Sequence, residues 1–162
     1  LVPYKRLDMA VETFNELGLP LVVIGDGPEY RRLRRMAARN ISFRGWVSKE
    51  EVRDAYQSCR ALIFPGVEDF GLTPIEAQAC GRPVIALGRG GGTESVEDGM
   101  TGILFRRQSV ASLKGAVTAF RRRRFDGAIA RRNSLRFSKD VFKRRLMEYV
   151  CRRYEEFRLD KG

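Results

Sequence analysis

Two glutamates stand eight positions apart in the run EDFGLTPIEAQACGRPVIA, residues 68–86: Glu68 just ahead of a glycine turn, and Glu76 in the helical pattern that follows it. Carboxylates so spaced suit proton transfer or the binding of polyols, because an ionised acid accepts two hydroxyl donors at once. Other catalytic machinery is sparse. The chain has no histidine, so the usual general base and the usual metal ligand are both absent. Three cysteines, Cys59, Cys80 and Cys151, are scattered without CxxC spacing, which argues against a disulfide framework or a zinc site. Any chemistry rests on carboxylates, cations, backbone groups or the substrate itself.

These acids need elements to position them. Short apolar runs bounded by glycine or proline predict strands: LVVIG (21–25), ISFRG (41–45), ALIFPG (61–66), PVIAL (83–87) and GILF (102–105). Three of them are continuous and rich in Val, Ile and Leu, as in strands buried on both faces of a parallel sheet. Helical patterns at 6–17, 28–39, 48–59 and 73–80 alternate with them. The order predicts an α/β fold: a doubly wound, Rossmann-like parallel sheet with helices on both faces. Ser48 with Glu51 forms a capping-box pattern, and Thr73, Pro74 and Glu76 read as a cap, a first-turn proline and a capping-box acid. The opening LVPYKR stands where a strand-to-helix loop belongs, with no strand before it. The sequence therefore reads as starting just after a central strand, and an interruption is expected between the 21–25 and 61–66 strands.

In such sheets ligands bind where the strands end and helix N-termini point inward. The residues at those ends are Gly25, Asp26, Gly27 and Pro28; Gly45, Trp46 and Val47; Glu68 to Leu72; and Gly90 to Glu94. Glycines there let backbone N–H groups approach a ligand, and a helix N-terminus favours an anion. With carboxylates alongside for sugar hydroxyls, the set suggests a diphosphate flanked by polyols, as in a nucleotide sugar.

Five blocks, VPYKRLD, VVIGDGP, FRGWVS, FPGVEDFGLTPIEAQACGRPVIA and GGGTESVEDGMTG, resemble in order and spacing the retaining glycosyltransferases with two Rossmann-like domains, the GT-B fold, and in particular the large group 1 family (family 4). The resemblance covers residues 1–105 closely and the remainder loosely. It implies a donor-binding C-terminal domain in which Glu68 and Glu76 match a Glu-x(7)-Glu motif, the first acid near the donor sugar and the second on the ribose hydroxyls. It implies that Lys5 grips the diphosphate as leaving-group charge develops. It places the backbone of Phe70, Gly71 and Leu72 against the sugar and phosphates, Gly25, Asp26 and Gly27 with Gly45, Trp46 and Val47 at the nucleotide, and Gly91, Gly92 and Glu94 on the acceptor side. No cofactor and no metal are implied; the nucleotide sugar is substrate. The EDFGLTP variant resembles mannosyltransferase-like members, which suggests GDP-mannose first and a UDP-sugar second, with a glycan or lipid-linked acceptor and a place in polysaccharide biosynthesis. The pattern's usual Gly-Arg before LVPYK and the acceptor-binding N-terminal domain are absent from these residues, so the chain is expected to bind donor weakly and to transfer nothing alone.

Structural readings stand beside these. Glu76 could serve only as the capping partner of Thr73, Glu68 as a solvated loop acid, Lys5 and Arg6 as a surface pair, Asp26 as a turn residue and Glu94 as turn chemistry. A sugar-nucleotide epimerase of similar fold is a further alternative, though such enzymes rely on histidine.

Charge divides the chain in two. Residues 1–105 hold 13 Lys/Arg against 14 Asp/Glu and residues 106–162 hold 18 against 6, so the net excess of +11 belongs to the tail. Three helical patterns there, about 110–120, 126–136 and 138–158, read as packing helices completing the same domain, the last with Phe142, Leu146, Tyr149 and Val150 as its apolar stripe. A basic face of this size suits an anionic membrane surface; the structural reading is a solvated helical face in an arginine-biased chain, where Arg outnumbers Lys 25 to 6. Nucleic acid is the alternative partner, but no aromatic stacking series or RNA-binding motif accompanies the arginines, and no specific nucleic acid is expected. With no apolar span of about 20 residues and no signal-peptide pattern, the protein reads as cytoplasmic and peripheral at the inner membrane face.

Overall fold

All five apolar runs become strands in the computed structural model, which describes residues 1–159: β1 (Leu21–Val23), β2 (Ile41–Phe43), β3 (Leu62–Phe64), β4 (Val84–Leu87) and β5 (Gly102–Phe105). Before, between and after them lie α1 (Leu7–Leu17), α2 (Tyr30–Met36), α3 (Lys49–Ser58), α4 (Leu72–Ala79), α5 (Gly91–Ser95), α6 (Val110–Arg121), α7 (Gly127–Ser134) and α8 (Lys139–Leu159). Every strand pair is parallel, because each strand is followed by a helix that carries the chain back to the starting edge. The pairing forms two groups, β1-β2 and β3-β4-β5, and β1 does not pair with β3. The expected interruption is present. Residues 1–5 run across its carboxyl end: the Leu1 backbone lies against Gly27, and Tyr4 and Lys5 lie against Gly66.

Strand β4 shows how both faces are covered. Ile85 and Leu87 join a core with Met9, Val11 and Phe14 of α1, Leu113, Val117 and Phe120 of α6, and Val23 and Ile41 of the other strand pair. Val84 and Ala86 face the opposite way, onto Phe64, Ala77 and Val96. The first core spans both strand groups and holds them as one body.

Several element ends differ from expectation for local reasons. Helix α2 stops at Met36 rather than 39 because Asn15 takes over its end, donating to the Met36 carbonyl at 2.7 Å and accepting from the Ala38 amide at 2.8 Å. Helix α4 starts at Leu72, not at Thr73: Gly71, at φ 77°, is its N-cap, and no side chain caps it. Pro74 becomes the third helical residue, tolerated there because the first four amides of a helix lack intrahelical acceptors anyway. The capping role expected of Thr73 and Glu76 is therefore corrected. The Ser48 and Glu51 box forms as expected, with Glu51 N donating to Ser48 Oγ at 3.2 Å and Ser48 N to Glu51 Oε2 at 2.9 Å. Residues 91–95, read as a loop, form the short helix α5.

The last helix is the largest departure. No residue of α8 is buried, and Phe142, Leu146, Tyr149 and Val150 stand 46–62% exposed. Helical spacing shows that a face is apolar; it does not say what covers it.

Asp8, in the first turn of α1, gives a pH prediction. Burial works against its charge, but the Arg6 guanidinium and the Met9 amide outweigh it and hold the carboxyl below its ordinary value of 3.8. A depressed folded value means the contribution is present above the unfolded value and lost as pH falls through the folded one. Asp8→Asn is therefore expected to lower stability at neutral pH and to converge on the parent protein in acid, once the Asp8 carboxyl is protonated in the folded state as well, as read by urea denaturation across that range.

Candidate functional site

The residues singled out in the sequence gather at the carboxyl ends of the strands, in two groups on either side of the interruption. The first group centres on Lys5 and Glu68. A 3-10 turn, Pro3–Lys5, presents Lys5, whose Nζ meets Glu68 Oε1 at 2.6 Å, with the side chains 36% and 19% exposed. Two residues 63 positions apart thus form one partly buried ion pair. Arg6, the one non-glycine residue at positive φ (52°) among the described residues, turns the chain from Lys5 into α1. Its guanidinium forks onto Asp8 at 3.1 and 3.3 Å and reaches Gln108 Oε1 at 3.3 Å. Gln108 in turn donates to the Pro65 carbonyl at 3.1 Å, which ties the Lys5 turn to the end of β3.

The Glu68–Phe70 loop is held from two sides. Gly91 N donates to the Glu68 carbonyl at 2.7 Å, and the Phe70 ring sets its edge on Phe137 at 5.7 Å. Gly71 then turns the chain into α4, close beneath the Phe64 ring. Leu72 is exposed at the start of that helix, which has no side-chain cap and follows the Glu68–Phe70 loop directly in the chain. Aligned amides at a helix start carry partial positive charge. Cation and helix start together make a place for a phosphate beside a carboxylate that can accept hydroxyls.

Glu76 lies in the second turn of α4 and is not part of the Lys5 pair. Its Oε2 accepts from the Tyr56 hydroxyl of α3 at 3.1 Å. Burial first, and the charge of Glu76 second, push the Tyr56 phenol well above its ordinary value, so it remains a donor at physiological pH. Gly91 and Gly92, assigned to the acceptor side, are buried, and their α-carbons face the Phe70 and Leu87 carbonyls. Glu94 is exposed on α5.

The second group lies at the ends of β1 and β2. Gly25 N donates to the Gly45 carbonyl at 2.7 Å, and Asp26 Oδ1 accepts from Gly27 N at 2.7 Å, closing its own turn. Asp26, Gly27 and Gly45 line an open depression of about 550 Å³ with Pro28, Tyr30 and Arg31. Trp46 is 83% exposed at the end of β2, and Val47 is half-buried beside the cap of α3.

Sequence reasoning missed Tyr56, Gln108 and the buried amides Gln78 and Asn133. Gln78 Nε2 and Asn133 Nδ2 both donate to the Ser95 carbonyl at 2.8 Å, and Asn133 also donates to Gln78 Oε1 at 2.7 Å. The available signal was a polar residue on an apolar helix face, as Gln78 stands beside Ala77 and Ile75 in α4. Among the described residues no group of His, Cys, Asp and Glu is placed to hold a metal ion, and no helix is long and apolar enough to cross a membrane.

Comparison with known proteins gives the family and the fold. Residues 1–122 match the family described as Glycosyl transferases group 1. An uncharacterized glycosyltransferase of Methanocaldococcus jannaschii is 32% identical over 118 residues, covering 70% of this chain and 34% of that protein. A GDP-mannose-dependent alpha-(1-6)-phosphatidylinositol monomannoside mannosyltransferase of Mycolicibacterium smegmatis is 32% identical over 135 residues, covering 72% of this chain and 35% of that protein. Among solved structures, Anabaena Alr3699/HepE in complex with UDP superimposes with a TM-score of 0.79 at 20% identity, over 93% of this chain and 46% of that one. The chain thus spans about a third of the length of these two sequence relatives. On the strength of the family match and the shared parallel-sheet architecture, the chain belongs to the glycosyl transferases group 1 family and has the fold of a GT-B glycosyltransferase domain.

Proposed function

We propose that these residues form the nucleotide-sugar-binding part of a retaining glycosyltransferase that transfers a hexose, mannose in the first instance, to a glycan or lipid-linked acceptor. The observation that carries this reading is the Lys5 and Glu68 ion pair at 2.6 Å, in the loop that leads into the uncapped start of α4. Lys5 and the α4 amides would hold the diphosphate and stabilise the charge that develops on it as the glycosidic bond to phosphate breaks. Glu68 would face the donor sugar, and Glu76 would accept from the ribose hydroxyls. The depression between Gly25, Asp26, Gly27 and Gly45, with Trp46 and Val47 at its margin, would receive the nucleoside. Glu94 would lie toward the acceptor; Gly91 and Gly92 serve it by letting α5 pack under the Phe70 loop. The acceptor hydroxyl attacks the anomeric carbon from the face the diphosphate leaves, and a diphosphate oxygen takes its proton. Neither histidine nor a metal has a part in that sequence of events.

The acceptor would be held by protein beyond these residues, so the chain alone would bind nucleotide without transfer. Exposed Arg121 to Arg124 would set this part of the enzyme near an anionic membrane surface on the cytoplasmic side.

The relatives' names point to different bases, GDP in one and UDP in the other. Calorimetric titration with UDP, GDP, ADP and their common sugar conjugates would identify the base used here. Glu76→Ala is expected to weaken the nucleotide that binds by about 1 to 3 kcal/mol, the size of a lost hydrogen bond to a charged group. Binding indifferent to that substitution, or no binding of any nucleotide, would remove the support for this reading.

A further inference from the structure

We propose that Tyr56 is a positioning residue for the ribose-binding carboxylate: its hydroxyl, donated to Glu76 Oε2 at 3.1 Å, fixes the carboxylate and leaves Oε1 free to accept from the ribose. The inference rests on the function proposed above and extends it to a residue on a different helix. Glu76 is exposed, and a glutamate at a helix surface samples several rotamers unless something holds it. Among the described residues the Tyr56 hydroxyl is the side-chain partner its carboxylate has. The tyrosine is itself fixed, because its ring packs on the cluster of Phe64, Ala77, Val84, Ala86 and Val96. The rigidity of that core therefore passes through one aromatic ring to one carboxylate oxygen. Ordering Glu76 in advance moves its entropic cost from binding to folding, the general benefit of preorganisation.

A plain cross-link between α3 and α4 would use the same hydrogen bond, so the test must read the ribose rather than stability. The full chain, Tyr56→Phe, Glu76→Ala and the double variant are titrated with UDP, GDP and ADP and with their 2′,3′-dideoxy forms, here the deoxy forms, which lack both ribose hydroxyls. Positioning predicts that Tyr56→Phe lowers the preference for the ribo over the deoxy form by about tenfold, the low end for a hydrogen bond to a charged group. It also predicts unchanged affinity for the deoxy form and no further loss when Glu76→Ala is already present. Equal losses for both forms would assign Tyr56 a purely structural role. An unchanged preference in Tyr56→Phe, alongside a preference abolished by Glu76→Ala, would overturn the positioning role and leave the proposed function standing. A chain that binds no nucleotide, or a ribose preference indifferent to Glu76, would overturn both.

Discussion

Replacing Gly91 with alanine is expected to drive the Glu68–Phe70 loop off the sheet and to lower stability by at least about 3 kcal/mol, the upper range for overpacking against a fixed wall. The added Cβ would stand 2.0 Å from the Phe70 carbonyl oxygen and 2.6 Å from Phe70 Cα. These are backbone atoms, so no rotamer change relieves the clash. The loop has little room to retreat. Its Phe70 ring is set against Phe137, and the next residue, Gly71, already lies 2.8 Å from the Phe64 ring at the position of its own missing Cβ. Moving the loop also breaks the 2.7 Å bond from Gly91 N to the Glu68 carbonyl and shifts the acid that pairs with Lys5. Urea denaturation reads the stability, and nucleotide titration reads the site. Gly115→Ala is the control: it lies within α6 with open space around it, where alanine is favoured by about 0.5 to 1 kcal/mol. Should Gly91→Ala prove as stable as the parent chain, the close packing of α5 beneath the loop is wrong.

Asn133→Leu is expected to cost about 2 to 4 kcal/mol, since it removes one half of a buried amide pair and leaves the other half unpaired. Gln78 is fully buried and Asn133 nearly so, at 0% and 5% exposure. The substitution strips Gln78 Oε1 of its 2.7 Å donor and strips the Arg136 guanidinium of an acceptor at 2.7 Å, although Arg136 keeps Glu97. The Ser95 carbonyl retains the donor from Gln78, so the loss is partial at that point. A double-mutant cycle with Gln78→Leu should therefore show coupling of about 1 to 2 kcal/mol between the two amides. The network joins α4, α5 and α7, so on the function proposed above a loosened α4 should also weaken nucleotide binding through Glu76. A cost below about 1 kcal/mol would mean that another polar group satisfies Gln78 in the variant.

The elements were legible because their signals are local. A continuous run such as PVIAL between Pro83 and Gly88 has few options other than a buried strand, and β4 is buried at every position. Ser48 and Glu51 marked the start of α3 because both halves of the capping box lie within one turn. Where local signals conflicted, the reading slipped. Thr73 and Pro74 looked like a helix start, yet Gly71 began α4 earlier, since a residue without Cβ can adopt φ 77° and fit beneath the Phe64 ring. Helix α8 has a legible stripe but no cover for it among the described residues, and nothing in periodicity decides that outcome.

By itself the sequence determined the order of strands and helices, the parallel direction of the sheet, and hence the edge at which Lys5, Glu68, Glu76 and the glycine loops assemble. Those follow from apolar runs, glycine punctuation and crossover helices, each of which acts over one or two elements. Only the tertiary structure decided which charged and polar groups meet: Lys5 with Glu68, Tyr56 with Glu76, Gln78 with Asn133. Such pairings depend on how crossover helices settle against a shared core, to fractions of an ångström, and no spacing along the chain encodes that distance.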